Sequence, residues 1–255
     1  MKYQLIRSAT AKLDFGGTCF LLDPWFAPKG KGVCYGGEGE RSPIVDMPCK
    51  MWQAESRADC ILLSHTHSDH FDEYAVEALD KDHPVICQPE DTSCPLLAAF
   101  EDVRPMDSGI FNEVALERVN AQHGTSPAVL EDMGPGSGWV LMAAEEPTLY
   151  WTGDTVWCDD VQKTIDVFHP DVIVVHAGGA MWNGELIIMD EAQVVRVCEA
   201  APWATVIAVH LEATNHGTVT RASLRAAAEA AGIDEERLRI PADGEALVIL
   251  QDKAF

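Results

Sequence analysis

Short apolar runs alternate along this chain with longer stretches in which apolar and polar positions repeat at helical spacing. Apolar runs that end in polar or glycine-rich residues predict buried strands, and amphipathic stretches that follow a capping residue predict helices. The predicted strands are residues 2–7, 11–15, 18–22, 60–63, 84–87, 111–120, 139–143, 148–151, 171–175, 205–209 and 245–250. The predicted helices are residues 72–79, 93–101, 157–167 and 190–200, and a last helix that is capped by Thr218 or Thr220 and runs through Ala231. This alternation indicates a mixed α/β protein.

Residues 27–58 interrupt the alternation, because glycine and proline recur there without a sustained period. A loop of this length inside a compact domain is usually a binding loop or lid, or is disordered. Apolar side chains within it, among them Tyr35 and Met47, favour an ordered segment. We therefore predict a single domain over residues 1–255, in which residues 27–58 cover the active site.

Three histidines and an aspartate follow the strand predicted at residues 60–63: His65, His67, Asp69 and His70. Imidazole and carboxylate groups are common ligands of divalent metals. In an extended backbone alternate side chains share a face, so His65 and His67 can bind one ion together. The turn before the next helix can direct Asp69 and His70 to a second ion. A solvated polar loop is the alternative, and such dense clustering disfavours it.

Three further candidate ligands lie just past the ends of predicted strands: His123, Asp154 and His210. A single histidine in a loop is more often a surface residue. Loops at one edge of a sheet, however, commonly gather the residues of a site. With the first cluster these residues supply seven ligands, enough for two metal ions and an open position for water.

Three other residues are candidates for a supporting role. Asp23 ends a strand and precedes a proline, so it either starts a turn or hydrogen-bonds the metal loop from behind. His176 and His216 are candidates for substrate binding or for protonating a leaving group, and a purely structural hydrogen bond is the alternative for each. Trp25, Trp157 and Trp182 follow these motifs and are candidates for pocket walls or for core packing.

The formal net charge of −23 is unusual for a chain of 255 residues. Nucleic acids and anionic membranes are bound through basic patches, so this charge argues against both as partners. Two metal ions, two aspartates and one hydroxide would leave the site at roughly +1, which keeps an anionic substrate open. The scattered cysteines and the absence of a signal-peptide pattern at the N-terminus predict reduced thiols and a cytoplasmic protein.

The motif His-x-His-x-Asp-His, met by His65, His67, Asp69 and His70, resembles that of the metallo-β-lactamase superfamily. The resemblance extends over essentially the whole chain and implies a four-layer αββα sandwich. It also implies one ion bound by His65, His67 and His123, a second bound by Asp69, His70 and His210, and Asp154 as the bridge. The strand-ending aspartate of the family matches Asp23. Residues 22–26 and 171–180 look most like the branch that includes the L-ascorbate-6-phosphate lactonase.

The resemblance implies a metal-dependent hydrolase, in which a hydroxide that bridges two ions attacks an ester, lactone or phosphodiester of a small molecule. Asp69 would accept or relay the proton. Zinc is the default metal, with manganese and iron as the other options, and the lactonase-like branch suggests a homo-oligomer. Two alternatives stay open: a mononuclear iron dioxygenase of the persulfide dioxygenase type, and a metal-binding protein without catalysis.

Overall fold

The computed structural model describes residues 1–35, 37, 39–50 and 58–250, which form two seven-stranded sheets and a two-stranded ribbon. The first sheet contains β1 (Lys2–Arg7), β2 (Thr10–Phe15), β3 (Thr18–Leu22), β4 (Cys60–Leu62), β5 (Val85–Cys87), β6 (Val103–Pro105) and β16 (Ala246–Val248). The second contains β7 (Ser108–Phe111), β8 (Val114–Ala121), β9 (Gly136–Met142), β10 (Leu149–Trp151), β11 (Val172–His176), β14 (Thr205–Val209) and β15 (Leu238–Arg239). The ribbon pairs β12 (Met181–Trp182) with β13 (Glu185–Leu186).

Five α-helices occur in the described residues: α1 (Glu73–Ala78), α2 (Pro127–Met133), α3 (Asp159–Phe168), α4 (Glu191–Ala200) and α5 (Arg221–Ala230). Two short 3₁₀ helices follow β5, at Pro89–Ser93 and Leu97–Ala99. None of the helices in the described ranges has the length and apolar character needed to cross a membrane.

Each sheet is antiparallel in one half and parallel in the other. The first sheet has the order β16-β1-β2-β3-β4-β5-β6, and its strands are parallel from β3 to β6. The second has the order β15-β14-β11-β10-β9-β8-β7, and its strands are parallel from β15 to β10. Because parallel strands end at the same edge of a sheet, the loops after them are brought together.

The buried apolar residues lie in three layers, and the burial of these side chains stabilises the two sheets. A central core between the sheets includes Phe20, Leu62, Trp139, Trp151 and Val174. A second cluster packs the outer face of the first sheet against α1 and the 3₁₀ helices. A third packs the outer face of the second sheet against α3, α4 and α5. The predicted four-layer αββα sandwich of the metallo-β-lactamase fold is therefore confirmed.

Two of the predicted elements were wrong in type or extent. The helix predicted at residues 93–101 is replaced by the two 3₁₀ helices, because Pro95 lacks an amide proton and disfavours a helical residue before it. The strand predicted at residues 111–120 is a hairpin of β7 and β8, which turns at Asn112 with a φ of 51°. Helix α2, capped by Ser126, was not predicted.

The buried guanidinium of Arg7 holds the start of the irregular segment against the first sheet. Its Nη2 donates to the carbonyl oxygens of Trp25 at 2.9 Å and Ala27 at 3.0 Å, and its Cζ lies 4.9 Å from the centroid of the Trp25 ring. The described part of residues 27–58 contains no helix or strand. Residues 36, 38 and 51–57 of the predicted cover lie outside the described residues.

Candidate metal centre

The loop after β4 turns sharply, and this turn gathers the first histidines. The backbone amides of His70 and Phe71 both donate to the carbonyl oxygen of His67 at 2.9 Å. Asp72 then caps α1 by accepting from the amide of Ala75 at 2.8 Å. The ring centroid of His65 consequently lies 4.4 Å from that of His67 and 4.2 Å from that of His70. A turn and a helix cap thus direct three imidazoles to one place.

The second sheet supplies the remaining candidates from the ends of its strands. His123 follows β8, Asp154 follows β10 and His210 follows β14. Asp154 Oδ2 lies 3.1 Å from His70 Nε2 and 3.5 Å from His123 Nε2. His210 Nε2 lies 3.3 Å from His70 Nε2. Residues of both sheets therefore meet at one edge of the sandwich.

Two groups of side chains have ligand atoms that all lie within 4.8 Å of one another, as a bound ion requires. The three-histidine cluster consists of His65, His67 and His123. The mixed cluster consists of His70, Asp154, His176 and His210. Asp69 lies beside the mixed cluster, with its Oδ2 3.5 Å from His210 Nε2.

Asp23 holds two of these histidines in position from behind. Its Oδ2 accepts from His70 Nδ1 at 2.6 Å and from the Ser64 hydroxyl at 2.6 Å, while its Oδ1 accepts from the Ser64 amide at 2.8 Å. Ser64 Oγ in turn lies 3.0 Å from His65 Nδ1. Since a carboxylate only accepts hydrogen bonds, His70 carries a proton on Nδ1 and turns its Nε2 towards the centre.

Two further histidines have the same orientation. His123 Nδ1 donates to the carbonyl oxygen of Ile187 at 2.6 Å, and His210 Nδ1 lies 3.4 Å from Ser8 Oγ. Their Nε2 atoms therefore point towards the centre. Oxygen partners on the outer nitrogens of metal-binding histidines are the usual way in which proteins fix the ring and its tautomer.

His65 gives the clearest sign that this centre suits a metal. Its Nε2 is buried and has no hydrogen-bond partner among the described residues. Burial, together with His70 and His67, holds the pKa of His65 well below its usual value, and burial lowers the pKa of His123 to about 4. Both imidazoles are therefore neutral at pH 7 and can donate a lone pair. An all-nitrogen and oxygen set of this kind fits a borderline divalent metal such as zinc.

His176 supports Asp154 rather than facing the cavity. The indole Nε1 of Trp151 donates to His176 Nε2 at 3.0 Å, and His176 Nδ1 lies 2.5 Å from Asp154 Oδ1. Because an indole N–H can only donate, neutral His176 carries its proton on Nδ1 and donates it to Asp154. Both ring nitrogens are thus engaged, so His176 orients the carboxylate that lies between the two clusters.

A cavity of about 220 Å³ opens onto both clusters. Its lining includes His67, Asp69, His123, Asp154 and His210. The rest of the described lining consists of Tyr35, Ser68, Asp132, Met133, Ala180, Trp182, Ile187, Ile188 and His216. No lysine or arginine is among these described lining residues. Away from the clusters the described lining is mostly apolar, and these described residues offer no lysine or arginine to a substrate.

The β12–β13 ribbon and α2 form the apolar wall of this cavity. Trp182 on the ribbon donates its Nε1 proton to Asp132 Oδ2 at 3.0 Å, which ties the ribbon to α2. Met133 and Trp182 pack against one buried cluster that includes Ile187. Of the three tryptophans singled out from sequence, Trp182 lines this cavity, whereas Trp25 packs beneath Arg7 and Trp157 lies under Arg196.

Sequence reasoning assigned no role at the centre to Ser64, Tyr35 or Met133. Ser64 directly precedes the histidine motif, and a hydroxyl between a strand and a ligand loop could have been recognised as a hydrogen-bonding link. Tyr35 lies in the irregular segment, where no periodic pattern indicates which side chain faces inward. Met133 ends the helix that the sequence reading missed.

A four-layer αββα sandwich with a His-x-His-x-Asp-His loop at one sheet edge defines the class of metallo-β-lactamase-fold metalloproteins. The sequence profile of the beta-lactamase superfamily domain matches residues 18–211. The chain therefore belongs to the beta-lactamase superfamily.

Several relatives are similar over nearly their whole length. The UPF0173 protein YddR of Bacillus subtilis is 31% identical over 254 residues, which cover 96% of this chain and 98% of the relative. The isothiocyanate hydrolase from Delia radicum gut bacteria has a TM-score of 0.90 and 32% identity, with 98% and 99% of the two chains covered. A "possible metal-dependent hydrolase" from Veillonella parvula has a TM-score of 0.93 and 33% identity, again with 98% and 99% covered. Family membership and the buried His/Asp clusters support a metal-dependent hydrolase that binds divalent metal.

Proposed function

We propose that this protein hydrolyses small, neutral electrophiles with an apolar substituent, using two divalent metal ions, one held by the three-histidine cluster and the other by Asp69, His70 and His210. The observation that carries the proposal is the cavity, in which an apolar wall faces metal-ligating side chains and no cationic side chain is among the described lining residues. Esters, lactones and isothiocyanates belong to this class of substrate.

We assign the candidate ligands to two ion positions. The three-histidine cluster would hold one ion, and Asp69, His70 and His210 the other, with Asp154 between them. Divalent ions bound there would supply a hydroxide nucleophile at neutral pH and would take up developing negative charge. His176 keeps the Asp154 carboxylate oriented through its Nδ1 proton.

Asp69 is placed to handle the proton of the attacking water. Its carboxylate lines the cavity and lies 3.5 Å from His210 Nε2. Although burial opposes ionisation, His70 and His210 lower the pKa of Asp69 below its usual range, so this carboxylate is ionised and can accept a proton.

The charge of the cavity argues for a neutral substrate over an anionic one. Phosphate and carboxylate groups are normally bound by arginine, lysine or backbone amides. The apolar side chains Met133, Trp182 and Ile187 instead favour an alkyl or aryl group. A phosphodiester or a sugar phosphate would have to rely on the metal ions alone for its charge.

The isothiocyanate group is our preferred member of this class, because a relative with 32% identity over 98% of this chain is an isothiocyanate hydrolase. Water adds to the central carbon of the N=C=S group, and the resulting thiocarbamic acid collapses to an amine and carbonyl sulfide. The group is linear, uncharged and small, as a cavity of about 220 Å³ requires. Zinc is the metal that we propose first, with manganese or iron as alternatives.

Metal content and substrate choice test the proposal together. Protein purified without added metal is analysed by elemental mass spectrometry and assayed with an alkyl isothiocyanate, an aryl acetate, a γ-lactone and a phosphodiester. We expect about two divalent ions per chain, hydrolysis of at least one neutral substrate at more than tenfold the phosphodiester rate, and loss of turnover on chelation that added metal restores. Metal-loaded protein that hydrolyses none of the neutral substrates contradicts the proposal, as does one iron per chain with oxygen consumption.

A further inference from the structure

Tyr35 brings a phenol hydroxyl from the irregular segment into the cavity. It lines the same space as Asp69 and Asp154, and its hydroxyl oxygen lies 2.8 Å from Ser68 Oγ. Its ring packs on that of His216, with the centroids 5.0 Å apart. Tyr35 and His216 thus form a second, polar wall of the cavity, distinct from the apolar wall formed by the ribbon and α2.

Asn215 fixes both members of this polar wall. Its Oδ1 accepts from the Tyr35 amide at 2.9 Å and from the Ser42 hydroxyl at 3.0 Å. The backbone amide of Asn215 donates to Ser42 Oγ at 2.9 Å. His216 is the next residue along the chain. A single side chain therefore ties the irregular segment to the turn that carries His216, and it sets where the Tyr35 ring enters the cavity.

Two other uncharged polar side chains of the cavity, Trp182 and Ser68, are less free to act. The Nε1 proton of Trp182 is already donated to Asp132. Ser68 is hydrogen-bonded to Tyr35, and either oxygen of that pair can be the donor. When the Ser68 hydroxyl donates, the proton of Tyr35 is directed to the Asp69 carboxylate or to a molecule that takes its place in the cavity. A neutral donor next to a metal centre stabilises negative charge where it develops on a reacting heteroatom.

We propose that Tyr35 is a catalytic residue that donates a hydrogen bond to the sulfur or oxygen atom of the electrophile, and that Asn215 is its positioning residue. This inference rests on the proposed function, because it assigns a contact at the same site. It gives the irregular segment a chemical task at this site.

The test compares five variants: Tyr35→Phe, Asn215→Ala, the combination of these two, Asn215→Asp and, as a matched control, Tyr74→Phe. Tyr74 is a half-buried tyrosine that does not line this cavity. Each protein is metal-loaded, its metal content is checked, and kcat and KM are measured on the best substrate of the panel. In parallel, the Kd for thiocyanate, a linear N=C=S anion, is measured by visible absorption of the cobalt-substituted protein.

We expect Tyr35→Phe to lower kcat by about 100-fold, the usual loss for one such donor, and to weaken thiocyanate binding by about tenfold at unchanged metal content. Asn215→Ala should act in the same direction, and combining it with Tyr35→Phe should add little. Asn215→Asp should retain most activity, because a carboxylate oxygen still accepts from the Tyr35 amide and the Ser42 hydroxyl. A purely structural Asn215 would instead give additive losses and no rescue by aspartate.

If the Tyr35→Phe and Tyr74→Phe variants have the same kcat and the same thiocyanate affinity, the inference about Tyr35 is wrong. A wild-type protein that binds thiocyanate but hydrolyses none of the panel contradicts the proposed function, and the thiocyanate comparison then decides the role of Tyr35 by itself. If wild-type protein hydrolyses a substrate but does not bind thiocyanate, the kinetics decide. If it does neither, both proposals are wrong.

Discussion

Replacing Asp23 by asparagine tests whether the centre depends on the residue behind its ligands. Asp23 is fully buried and accepts three hydrogen bonds, two from Ser64 and one from His70 Nδ1. Its φ of 38° lies in the left-handed region, which asparagine tolerates better than alanine does. Asp23→Asn therefore changes the hydrogen-bond chemistry with little change in shape or backbone strain.

The substitution should reverse the tautomer of His70. The amide Nδ2 of asparagine would take the place of the carboxylate oxygen that accepts from His70 Nδ1 at 2.6 Å. Two N–H groups cannot face each other, so the neutral imidazole would move its proton to Nε2 and lose the lone pair that faces the centre. Loss of such outer partners costs about 10- to 100-fold in metal affinity, which is about 1.4 to 2.7 kcal/mol.

The assay is a competition for zinc between the protein and a chromophoric chelator of known affinity, followed by absorbance. Circular dichroism checks that the metal-free variant is folded. Asp14→Asn, at an exposed position of β2, serves as the matched control. If Asp23→Asn and Asp14→Asn bind zinc with the wild-type affinity, the reasoning about Asp23 and the His70 tautomer is wrong.

Two further substitutions test the scaffold around the centre. Gly153 has a φ of +63°, and a Cβ there would lie 2.2 Å from the carbonyl oxygen of Ser137. Gly153→Ala should therefore displace Asp154, cost about 1–3 kcal/mol of stability and lower the measured metal content. A fully metallated variant with an unchanged Tm would contradict this. Arg7→Met should lower the free energy of unfolding by about 2–4 kcal/mol, because buried carbonyl oxygens such as that of Trp25 lose their donor. A loss below about 1 kcal/mol, measured by urea unfolding, would show that Arg7 does not hold the irregular segment against the first sheet.

The fold and the gathering of the candidate ligands at one edge of the sandwich were predictable for a physical reason. Strands of the parallel halves of the two sheets are short, apolar runs buried on both faces, and such runs stand out in a sequence. His65, Asp154 and His210 each follow one of these runs closely, so their position at a common edge followed from topology. A polar residue directly after a fully apolar run is a strong local signal.

The walls of the cavity could not be predicted in the same way. Helix α2 is only 7 residues long and begins with Ser126 and Pro127, so it shows too few turns for a periodic pattern. The contact of Tyr35 with the cavity depends on Asn215, 180 positions away in sequence. His176 lies at the end of an apolar strand, as the candidate ligands do, so the sequence does not separate it from them. Its different role is visible only in the structure, where the indole N–H of Trp151 donates to His176 Nε2.

The sharing of both clusters between the two sheets has a consequence for the order of assembly. The first sheet carries His65 and His70 on the loop after β4, and the second sheet carries His123, Asp154 and His210. Neither cluster is complete until both sheets have formed and docked, so a partly folded chain lacks the full set of candidate ligands. At the far end of the sandwich the N-terminal ammonium of Met1 pairs with Glu146 at 2.6 Å and needs no ion to do so. A fully ligated ion at this centre therefore requires that the two sheets have docked, and it reports that they have met.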